Sequence, residues 1–386
     1  MPSMSYQFLV YNSIHQVPET CLIKVHTPCN LMRTIDVVEK SGIENIQNYY
    51  VLVEENGEPL FLAYYQLLSV IPKHFNLSHR KVQKVALSLA LRIVKPTLLI
   101  AGNLFRHDTL FYQYLKPNLD EQKTVDLYQQ TLAHMVQYTN ASGVFLKDVD
   151  ETQATAIKQG NQYIEMENDI SMEIVLPEYW TSFADYEKAL KHKYLQRCRK
   201  TRKSFTDIRI VEFSLEDIQK NSTLMEALYL QVSQKQLVCM GILNDSFFVE
   251  LKKSFGDDYK VFGYFQNDTL IAFSSAILHQ QKYDMNYIGF DYHANQSHQL
   301  YFNILFHCLE MAIETKCTAL ILGRTALEAK AILGCKPDYR YSFYKLRNVV
   351  VHWFFTMVSS YFKEQQGEKW KERHPFKSTY YHSSAE

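Results

Sequence analysis

The chain has 386 residues, of which 47% are hydrophobic and 14% are aromatic. This composition excludes a disordered chain, and the length exceeds what one hydrophobic core usually supports, so we expect two folded domains. The 41 basic and 41 acidic residues cancel to a formal net charge of zero, which excludes an overall electrostatic attraction for DNA or for an anionic membrane.

The first ten residues contain no Lys or Arg, and their apolar run is too short for a secretory signal. The longest apolar block, residues 349–358, falls short of the ~20 residues that span a bilayer, and His352 and Thr356 interrupt it. The seven cysteines form no Cys-x-x-Cys pair, which argues against a zinc knuckle and for a reducing compartment. We therefore expect a cytoplasmic protein with no transmembrane segment and no bound metal.

Two β-hairpins are predicted along the chain, at residues 49–67 and 259–278. The first turns at Asn56-Gly57, the strongest short-range hairpin signal, and the second turns at Asn267-Asp268. A strand and a longer helix follow each hairpin; they are residues 96–102 and 120–138 in the first half, and residues 285–291 and 299–315 in the second. The order of predicted elements is thus the same in both halves.

Each half then ends in a further strand, a short helix, a glycine stop and a pair of strands. In the first half these are residues 143–148, a helix from 151, Gly160 and strands within 163–176; in the second they are residues 319–323 and 325–333, Gly334 and strands from 339. Thr325 and Glu328 have the spacing of a capping box for the second of these helices.

A hairpin that leads into a strand–helix–strand crossover produces a mixed sheet with helices on its faces. The sequence therefore predicts an α+β fold with two tandem domains, each a mixed, mostly antiparallel sheet flanked by helices. The predicted domains are residues 1–176 and 177–386, with a polar tail from about residue 364.

Short motifs in the second half carry a resemblance to a known family. They are Tyr194-Leu-Gln-Arg-Cys-Arg-Lys-Thr-Arg-Lys203 on an early helix, Tyr287-Ile-Gly-Phe-Asp291 as the central strand, and Leu322-Gly-Arg-Thr-Ala326 leading to Lys330-Ala-Ile-Leu-Gly334. With the order of elements, they resemble the GNAT acyltransferase superfamily as a tandem pair of GNAT-like domains, closest to its FemAB-like branch of bacterial proteins. The resemblance covers about residues 176–350, and the first half matches by element order alone.

The resemblance implies an N-acyltransferase that moves an acyl group from acyl-CoA, first of all acetyl-CoA, to a small-molecule amine such as that of a cell-envelope or amino-sugar precursor. It implies that the C-terminal domain binds the acyl donor between two parted strands, while the N-terminal domain is degenerate or binds the acceptor. Two alternatives stay open: an aminoacyl-tRNA-dependent enzyme of the peptidoglycan type, and a non-catalytic tandem binding module. Residues 215–255 are too short for the helical arm that some Fem-type enzymes insert, which favours acyl-CoA over tRNA.

The sequence departs from the family's acetyl-CoA signature at the loop after the central strand. That signature would place paired glycines there, and residues 291–298 contain no glycine. Glycine lets a backbone approach a phosphate closely, so the departure leaves the identity of the donor open.

Attack by an amine needs a base that takes its proton and a donor that stabilises the oxyanion. Asp291, His293 and Tyr287 are the catalytic candidates, because they lie on or next to the end of the predicted central strand. The alternative for Asp291 is a turn residue that hydrogen-bonds its own backbone, and the alternative for His293 is an exposed loop position.

Donor binding is predicted at the start of the helix that follows, where backbone N–H groups attract an anion. Asn295, Ser297 and His298 precede that helix, and Arg324 follows the next strand with a guanidinium suited to a carboxylate or phosphate. The alternatives are exposed loop positions for the first three residues and a surface ion pair for Arg324.

A basic run without acidic residues extends from Lys188 to Lys203. Its apolar residues recur at three-to-four spacing, so the segment is predicted as one amphipathic helix. Arg197, Arg199 and Lys200 are candidates for contacts with the phosphates of coenzyme A, with tRNA or with an anionic lipid. A solvated helix face is the alternative.

Aromatic residues near the C-terminus form a candidate patch for peripheral membrane contact; they are Trp353, Phe354, Phe355, Tyr361 and Trp370. The alternative is a segment that closes the second sheet and packs a final helix.

Overall fold

A computed structural model describes residues 6–22, 29–76, 81–106, 112–115, 121–149, 151–159, 163–166, 170–236, 238–347 and 370–378. The strands are β1 (Tyr6–Tyr11), β2 (Ile46–Glu55), β3 (Glu58–Ser69), β4 (Thr97–Ala101), β5 (Tyr112–Tyr114), β6 (Gly143–Val149), β7 (Ile164–Glu165), β8 (Ile170–Val175), β9 (Ile208–Glu212), β10 (Tyr259–Gln266), β11 (Thr269–His279), β12 (Lys282–Phe290), β13 (Ala319–Gly323), β14 (Lys336–Tyr339) and β15 (Tyr341–Leu346).

The helices are α1 (Glu19–Leu22), α2 (Cys29–Lys40), α3 (Lys81–Val94), α4 (Glu121–Thr139), α5 (Glu151–Gln159), α6 (Phe183–Ala189), α7 (His192–Lys203), α8 (Leu215–Ser233), α9 (Asp245–Phe255), α10 (Tyr292–His298), α11 (Leu300–Glu314) and α12 (Leu327–Leu333). Short 3₁₀ turns occupy Ile14–Gln16, Pro72–His74 and Gly256–Asp258.

The strands form two mixed sheets, each antiparallel except for one parallel pair. The first has eight strands in the order β1-β2-β3-β4-β6-β15-β7, with β5 beside β3, and its parallel pair is β4 and β6. The second has seven strands in the order β14-β8-β13-β12-β11-β10-β9, and its parallel pair is β12 and β13. The predicted α+β class with mixed, mostly antiparallel sheets is confirmed.

Both predicted hairpins form where the turn residues place them. β2 and β3 turn at Asn56 and Gly57, whose φ angles of 54° and 80° suit residues that tolerate the left-handed conformation. β10 and β11 turn at Asn267, with a φ of 54°. The hairpins fix the register of β2 with β3 and of β10 with β11.

Two strands lie in the sheet of the other half of the sequence. β8 pairs with β13 and β14 in the second sheet, and β15 pairs with β6 and β7 in the first. Two compact units result: unit 1 is Met1–Asp169, Gln236–Ile242 and Arg340–Glu364, and unit 2 is Ile170–Lys235, Leu243–Tyr339 and Gln365–Glu386. The predicted strand pairs within 163–176 and from 339 are wrong, because alternation identifies a strand without specifying its partner.

Helices cover both faces of the second sheet. Ala272 and Phe273 are neighbours on β11 and therefore point to opposite faces. Ala272 belongs to the apolar cluster that contains α6, α7 and α11, whereas the Phe273 ring lies 5.3 Å from that of Phe248 on α9. Phe248 also contacts Tyr229 of α8, with ring centroids 6.2 Å apart. The sheet thus lies between α6, α7 and α11 on one face and α8 and α9 on the other.

Three local predictions differ from the structure. The basic segment forms two helices, α6 and α7, because Leu190 between them pairs with Phe376 in a β-bridge. Helix α12 begins after Ala326, whose φ is 48°, and has no side-chain cap, so the predicted capping box of Thr325 and Glu328 is wrong. The predicted polar tail contains Phe376, which is buried against Trp180 with ring centroids 5.9 Å apart.

The predicted helix end at Gly334 is confirmed, and several other predicted positions lie outside the described residues. Gly334 ends α12 in the left-handed conformation at a φ of 107°, as its place in the sequence predicts. Of the predicted aromatic patch, only Trp370 is described, and it packs against the core of unit 2. The remaining positions that lie outside the described residues are Gly160, Trp353, Phe354, Phe355 and Tyr361.

Candidate active site

The parallel strands β12 and β13 separate part of the way along their length. Among the described residues, their register ends at the pair Asp284 and Ile321, although β12 continues to Phe290. A strand segment without a partner on one side presents its backbone N–H and C=O groups to whatever lies there. We call the space between β12 after Asp284 and β13 after Ile321 the strand opening.

A β-bulge lies in the part of β12 that borders the strand opening. Asn286 and Tyr287 both lie opposite Ser275 of β11. The Ser275 hydroxyl donates to the Tyr287 carbonyl (3.1 Å) and accepts from the Tyr287 N–H (3.3 Å). A bulge bends its strand and strengthens the local twist, so Ser275 stabilises the region in which β12 diverges from β13.

Tyr287, the first of the predicted catalytic residues, packs among aromatic rings. Its ring lies edge-on to Tyr229 of α8 and Phe247 of α9, with centroids 6.1 Å and 5.7 Å away. The half-buried ring therefore lies on the face of the sheet that α8 and α9 cover.

Asp291 caps a helix. It precedes α10, and its Oδ1 accepts hydrogen bonds from the backbone N–H groups of His293 (2.7 Å) and Ala294 (3.0 Å). This is the turn-residue alternative, in which the carboxylate satisfies the first helical amides. The His293 side chain is exposed. The structure therefore does not join Tyr287, Asp291 and His293 into a hydrogen-bonded catalytic group.

The residues predicted to bind a pyrophosphate hold α10 and α11 in place. Asn295 Oδ1 accepts from the Tyr301 N–H at the start of α11 (2.9 Å). His298 bridges two elements, since its Nδ1 donates to the Ser204 carbonyl (3.1 Å) and its Nε2 lies 3.0 Å from the Gln266 amide nitrogen. These bonds engage Asn295 and His298 within the protein.

The helix starts in this region offer few amides to an anion. Ser297 is exposed and donates to the Ala294 carbonyl (3.1 Å) within α10. The amides of His293 and Ala294 already donate to Asp291, and that of Tyr301 donates to Asn295. An incoming pyrophosphate would have to displace a carboxylate and an amide oxygen from these donors.

A buried lysine holds the turn that follows β13. Lys330 of α12 is only 2% exposed, and its ammonium donates to the carbonyls of Gly323 (3.0 Å) and Arg324 (2.6 Å). Burial lowers the pKa of Lys330 to about 7. The turn includes Gly323, Thr325 and Ala326 at positive φ, so Lys330 secures a sharp change of direction beside the strand opening. Arg324 is half-buried in this turn.

The basic candidates lie on α7 and differ in the contacts that their side chains make within the protein. Arg199 makes two hydrogen bonds of 3.2 Å each to the Glu187 carboxylate. Arg197 lies over the Phe302 ring, 5.2 Å from its centroid, and Lys200 is exposed. Lys193, Arg197 and Lys200 are spaced to lie on one side of α7, and we call them the basic face. Among the described residues, none of the three forms an ion pair.

An ionisable pair that the sequence reasoning missed lies at the base of the strand opening. His279 Nε2 lies 3.7 Å from Asp284 Oδ2, and the two side chains are 7% and 1% exposed. Asp284 is half of the last residue pair before the strands separate. The one available signal was the aspartate itself, a charged residue inside an otherwise apolar central strand; the predicted strand began one residue later, at Met285.

Two features are absent from the described part of the chain. It contains no helix that is both long and apolar enough to cross a membrane. Within the same residues, no three His, Cys, Asp or Glu side chains cluster as metal ligands would.

These features define a class of protein. Each sheet consists of an antiparallel hairpin, a strand–helix–strand crossover and closing strands, and in unit 2 the central parallel strands part beside a bulge. This is the GNAT acyltransferase fold, present twice in tandem. A model of the FemAB-like family, described as peptidoglycan biosynthesis/recognition, matches residues 112–378. The chain belongs to this family, and the resemblance noted in the sequence is confirmed.

Solved structures agree on the fold at low sequence identity. A tandem GNAT protein from the clavulanic acid biosynthesis pathway has 8% identity and a TM-score of 0.51, covering 89% of this chain and 99% of that one. FemX has 9% identity and a TM-score of 0.50, over 90% and 99% of the two chains. A protein of unknown function from Bacteroides thetaiotaomicron has 10% identity and a TM-score of 0.50, over 88% and 99%. No curated protein sequence matches the chain.

Proposed function

We propose that the chain is an N-acyltransferase that transfers an acyl group to a small-molecule amine, and that the strand opening of unit 2 receives the acyl donor. The observation that supports this most is the separation of β12 and β13 after Asp284 and Ile321. Beyond Asp284, the edge of β12 that pairs with no strand of the described residues offers backbone groups that suit the carbonyl and amide groups of an extended acyl donor.

The proposed reaction forms a C–N bond and breaks the bond between the acyl group and its carrier. The amine nitrogen attacks the acyl carbonyl carbon, and the C–S bond of a thioester or the C–O bond of an aminoacyl ester breaks. The proton of the amine passes to a base, and the leaving thiolate or alkoxide takes up a proton. Asp284 with His279 is our candidate for the base, because both are buried beside the opening.

A pair of variants tests this role. Asp284→Asn and His279→Gln should each lower turnover by about 10²–10⁴-fold while donor binding persists. Glu173→Gln is the matched control, since Glu173 is also a strand carboxylate near a cation, 3.4 Å from the Lys282 ammonium. Turnover of Asp284→Asn equal to that of the control would remove the pair from the mechanism.

Acyl-CoA is the first donor that we propose, as the resemblance to GNAT acyltransferases implies. A specific observation favours a second candidate, aminoacyl-tRNA. The His293 and Ala294 amides at the start of α10 and the Tyr301 amide at the start of α11 are engaged by Asp291 and Asn295, whereas the exposed basic face of α7 suits an extended polyanion. A family described as peptidoglycan biosynthesis/recognition is compatible with either donor and with a cell-envelope amine as acceptor.

Calorimetric titration of the full chain separates the donors. Acetyl-CoA, a longer acyl-CoA, coenzyme A and a mixed aminoacyl-tRNA preparation are compared at several salt concentrations. If tRNA is the donor, Lys193→Gln, Arg197→Gln and Lys200→Gln should each reduce the salt slope by about one, and Arg199→Gln, whose native residue is paired with Glu187, should change it less. If no acyl donor binds, the non-catalytic binding module replaces the enzyme as the function.

A further inference from the structure

Unit 1 contains a cavity of about 620 Å³ on the helical side of its sheet. Tyr128, Leu132 and Val136 of α4 and Val144 and Leu146 of β6 form apolar walls, and they belong to the apolar core of the unit or pack against it. A volume in this range is typical of sites that enclose a small molecule (about 300–1,000 Å³). The cavity is therefore large enough for a ligand with a substantial apolar part.

Two cations lie on one edge of this cavity. Lys345 of β15 and Arg347 just after it are two residues apart, and both line the cavity. The Lys345 ammonium lies 5.6 Å from the centroid of the Tyr163 ring, and Arg347 Nη1 donates to the Ala141 carbonyl at 3.4 Å. Among the described residues that line the cavity, none is acidic. The charge of the lining is thus positive, and the rest of the lining combines apolar side chains with the amides of Gln129, Gln137 and Asn140.

We propose that this cavity binds an anionic amphiphile, that is, a linear acyl or alkyl chain that ends in a carboxylate or phosphate. The apolar walls bury the chain, since removal of apolar surface from water is favourable in proportion to its area. Lys345 and Arg347 bind the head group, because an anion next to an apolar cavity needs charged donors to replace its water. This site goes beyond the proposed acyl transfer, because it lies in unit 1 and includes no residue of the strand opening.

The two cations also lie near the end of α4, where positive charge stabilises a helix C-terminus. That role needs no ligand and makes a different prediction. If helix capping were their only role, substitution of both cations would lower the stability of the free protein and leave the affinity for any amphiphile unchanged. If the two cations bind a ligand, their substitution should greatly reduce the affinity for the amphiphile and change the stability of the free protein less.

The test uses the full chain, isothermal titration and thermal shift. The probes are dodecanoate, dodecyl phosphate, dodecanamide and acetate. Dodecanoate or dodecyl phosphate should bind, and the one with higher affinity identifies the head group. Dodecanamide should bind at least about tenfold more weakly, because it lacks the charge that strengthens hydrogen bonds. Acetate should not bind measurably, because it lacks the chain.

Variants then assign the site. Lys345→Gln with Arg347→Gln should weaken binding of the anionic probe by at least about tenfold. Val136→Trp should fill the cavity and abolish binding, whereas Leu132→Met, which conserves volume, should retain it. Lys95→Gln, which changes an exposed lysine of unit 1 that does not line the cavity, is the matched control.

Three results would overturn the proposal. They are the absence of binding by all four probes, equal affinity for dodecanoate and dodecanamide, and unchanged affinity in the double variant of Lys345 and Arg347. Thermal unfolding of each free variant shows whether it is folded, and the comparison of dodecanoate with acetate still tests binding of the chain if Val136→Trp does not fold.

Discussion

The central parallel pair of strands is closed in unit 1 and open in unit 2. In unit 1 the register of β4 and β6 ends where Ala101, the last residue of β4, pairs with Leu146, and β6 continues to Val149 with Lys147 in close contact with Gly102. In unit 2 the register of β12 and β13 ends at Asp284 and Ile321, although β12 continues to Phe290. Read from β9 to β14, the second sheet has the same arrangement as the first sheet from β1 to β7, so β12 and β13 correspond to β4 and β6. The two sheets thus differ at the carboxyl ends of these corresponding parallel strands.

Side chains at the strand ends account for this difference. Gly102 follows β4 at a φ of 125°, and a Cβ there would lie 3.0 Å from the Lys147 carbonyl oxygen, so the two segments are in close contact. The buried Lys147 ammonium pairs with the Asp148 carboxylate and donates to the Arg106 carbonyl (2.7 Å). We infer that the close approach at Gly102 and the hydrogen bond from the Lys147 ammonium to the Arg106 carbonyl hold β6 and the segment after β4 together in unit 1.

Lys147→Met is expected to have the largest effect of the substitutions considered. It would leave Asp148 buried without its cation, and loss of one partner of a buried ion pair costs about 3–5 kcal/mol. We expect that decrease in the free energy of unfolding, measured by urea denaturation.

A double variant sharpens this test. Lys147→Met with Asp148→Asn removes both charges, and asparagine tolerates the φ of 55° at this position. The double variant should therefore recover much of the lost stability. A single variant that loses less than about 1 kcal/mol would contradict a stabilising role for the buried ion pair.

Gly289→Ala examines the open pair in unit 2. A Cβ at Gly289 would lie 2.5 Å from the Tyr229 backbone nitrogen and 2.6 Å from the Leu228 carbonyl carbon, so the backbone of α8 would have to move. We expect a loss of about 1–3 kcal/mol in urea denaturation, with a further loss of acyl transfer because α8 packs on the strand that borders the opening.

Gly42→Ala is the control for the change of backbone freedom alone. Gly42 has a φ of 58° and no atom within 4 Å of a built Cβ. Its substitution should reduce stability by about 1 kcal/mol and leave acyl transfer unchanged. If Gly289→Ala behaved in the same way, α8 would not depend on close contact with β12.

The sequence predicts those parts of the fold that short-range signals determine. Asn56-Gly57 and Asn267-Asp268 specify hairpins through residues that tolerate positive φ, and Gly334 ends a helix for the same reason. The order of strands and helices follows from these signals and from apolar periodicity. Each of these features depends on residues within a few positions of one another.

The exchange of β8 and β15 between the sheets has no short-range signal. Both segments alternate as strands do, and alternation is satisfied equally well beside any partner with an apolar face. The break between α6 and α7 is similar, since Leu190 ends a helix by pairing with Phe376, far along the chain. The sheet partners of β8 and β15 and the break between α6 and α7 depend on residues that are distant in sequence, so the local pattern could not predict them.

The candidate site shows the same limit more strongly. Asp291 follows a strand, as a catalytic base or a helix cap would, and only the three-dimensional structure shows that its carboxylate accepts from the His293 and Ala294 amides. Asp284 and His279 belong to adjacent strands, and the register of β11 and β12 brings them together. The sequence therefore predicts the strand opening through family resemblance, whereas the ionisable pair beside it required the register.

Lys330 should make the free energy of unfolding depend on pH, and we expect this effect to be smaller than those of the substitutions above. Its pKa is about 7 in the folded protein and about 10.4 in an unfolded chain. Between these values the unfolded state binds more protons than the folded state, so the contribution of Lys330 to stability rises with pH. Below pH 7 both states carry the charge, and its burial opposes folding fully.

Lys330→Met removes this titration and serves as the comparison. Urea denaturation of both proteins at about pH 6, 7.5 and 9 should show the native protein gaining stability relative to the variant as the pH rises. Parallel pH profiles would mean that Lys330 stays charged in the folded state, held by the carbonyls of Gly323 and Arg324.

The smallest effect is expected at Asp291, where the two units again correspond. Asp291 after β12 accepts from the His293 N–H (2.7 Å), and Asn103 after β4 accepts from the Phe105 N–H (2.8 Å), so an Asp or Asn turn follows the same strand in each unit. Asparagine caps a helix about as well as aspartate does. Asp291→Asn should therefore change the free energy of unfolding by less than about 0.5 kcal/mol and leave turnover intact, whereas Asp291→Ala should cost about 1 kcal/mol.

Turnover and stability respond differently if Asp291 is the base. Asparagine keeps the cap but cannot accept a proton, so a catalytic Asp291 would lose about 10²–10⁴-fold in turnover in Asp291→Asn with no loss of stability. Parallel steady-state kinetics and urea denaturation of Asp291→Asn and Asp284→Asn distinguish the two carboxylates. Loss of turnover in Asp284→Asn alone would assign the proton to the strand position beside the opening, because Asp291 has its oxygen committed to the amides of α10.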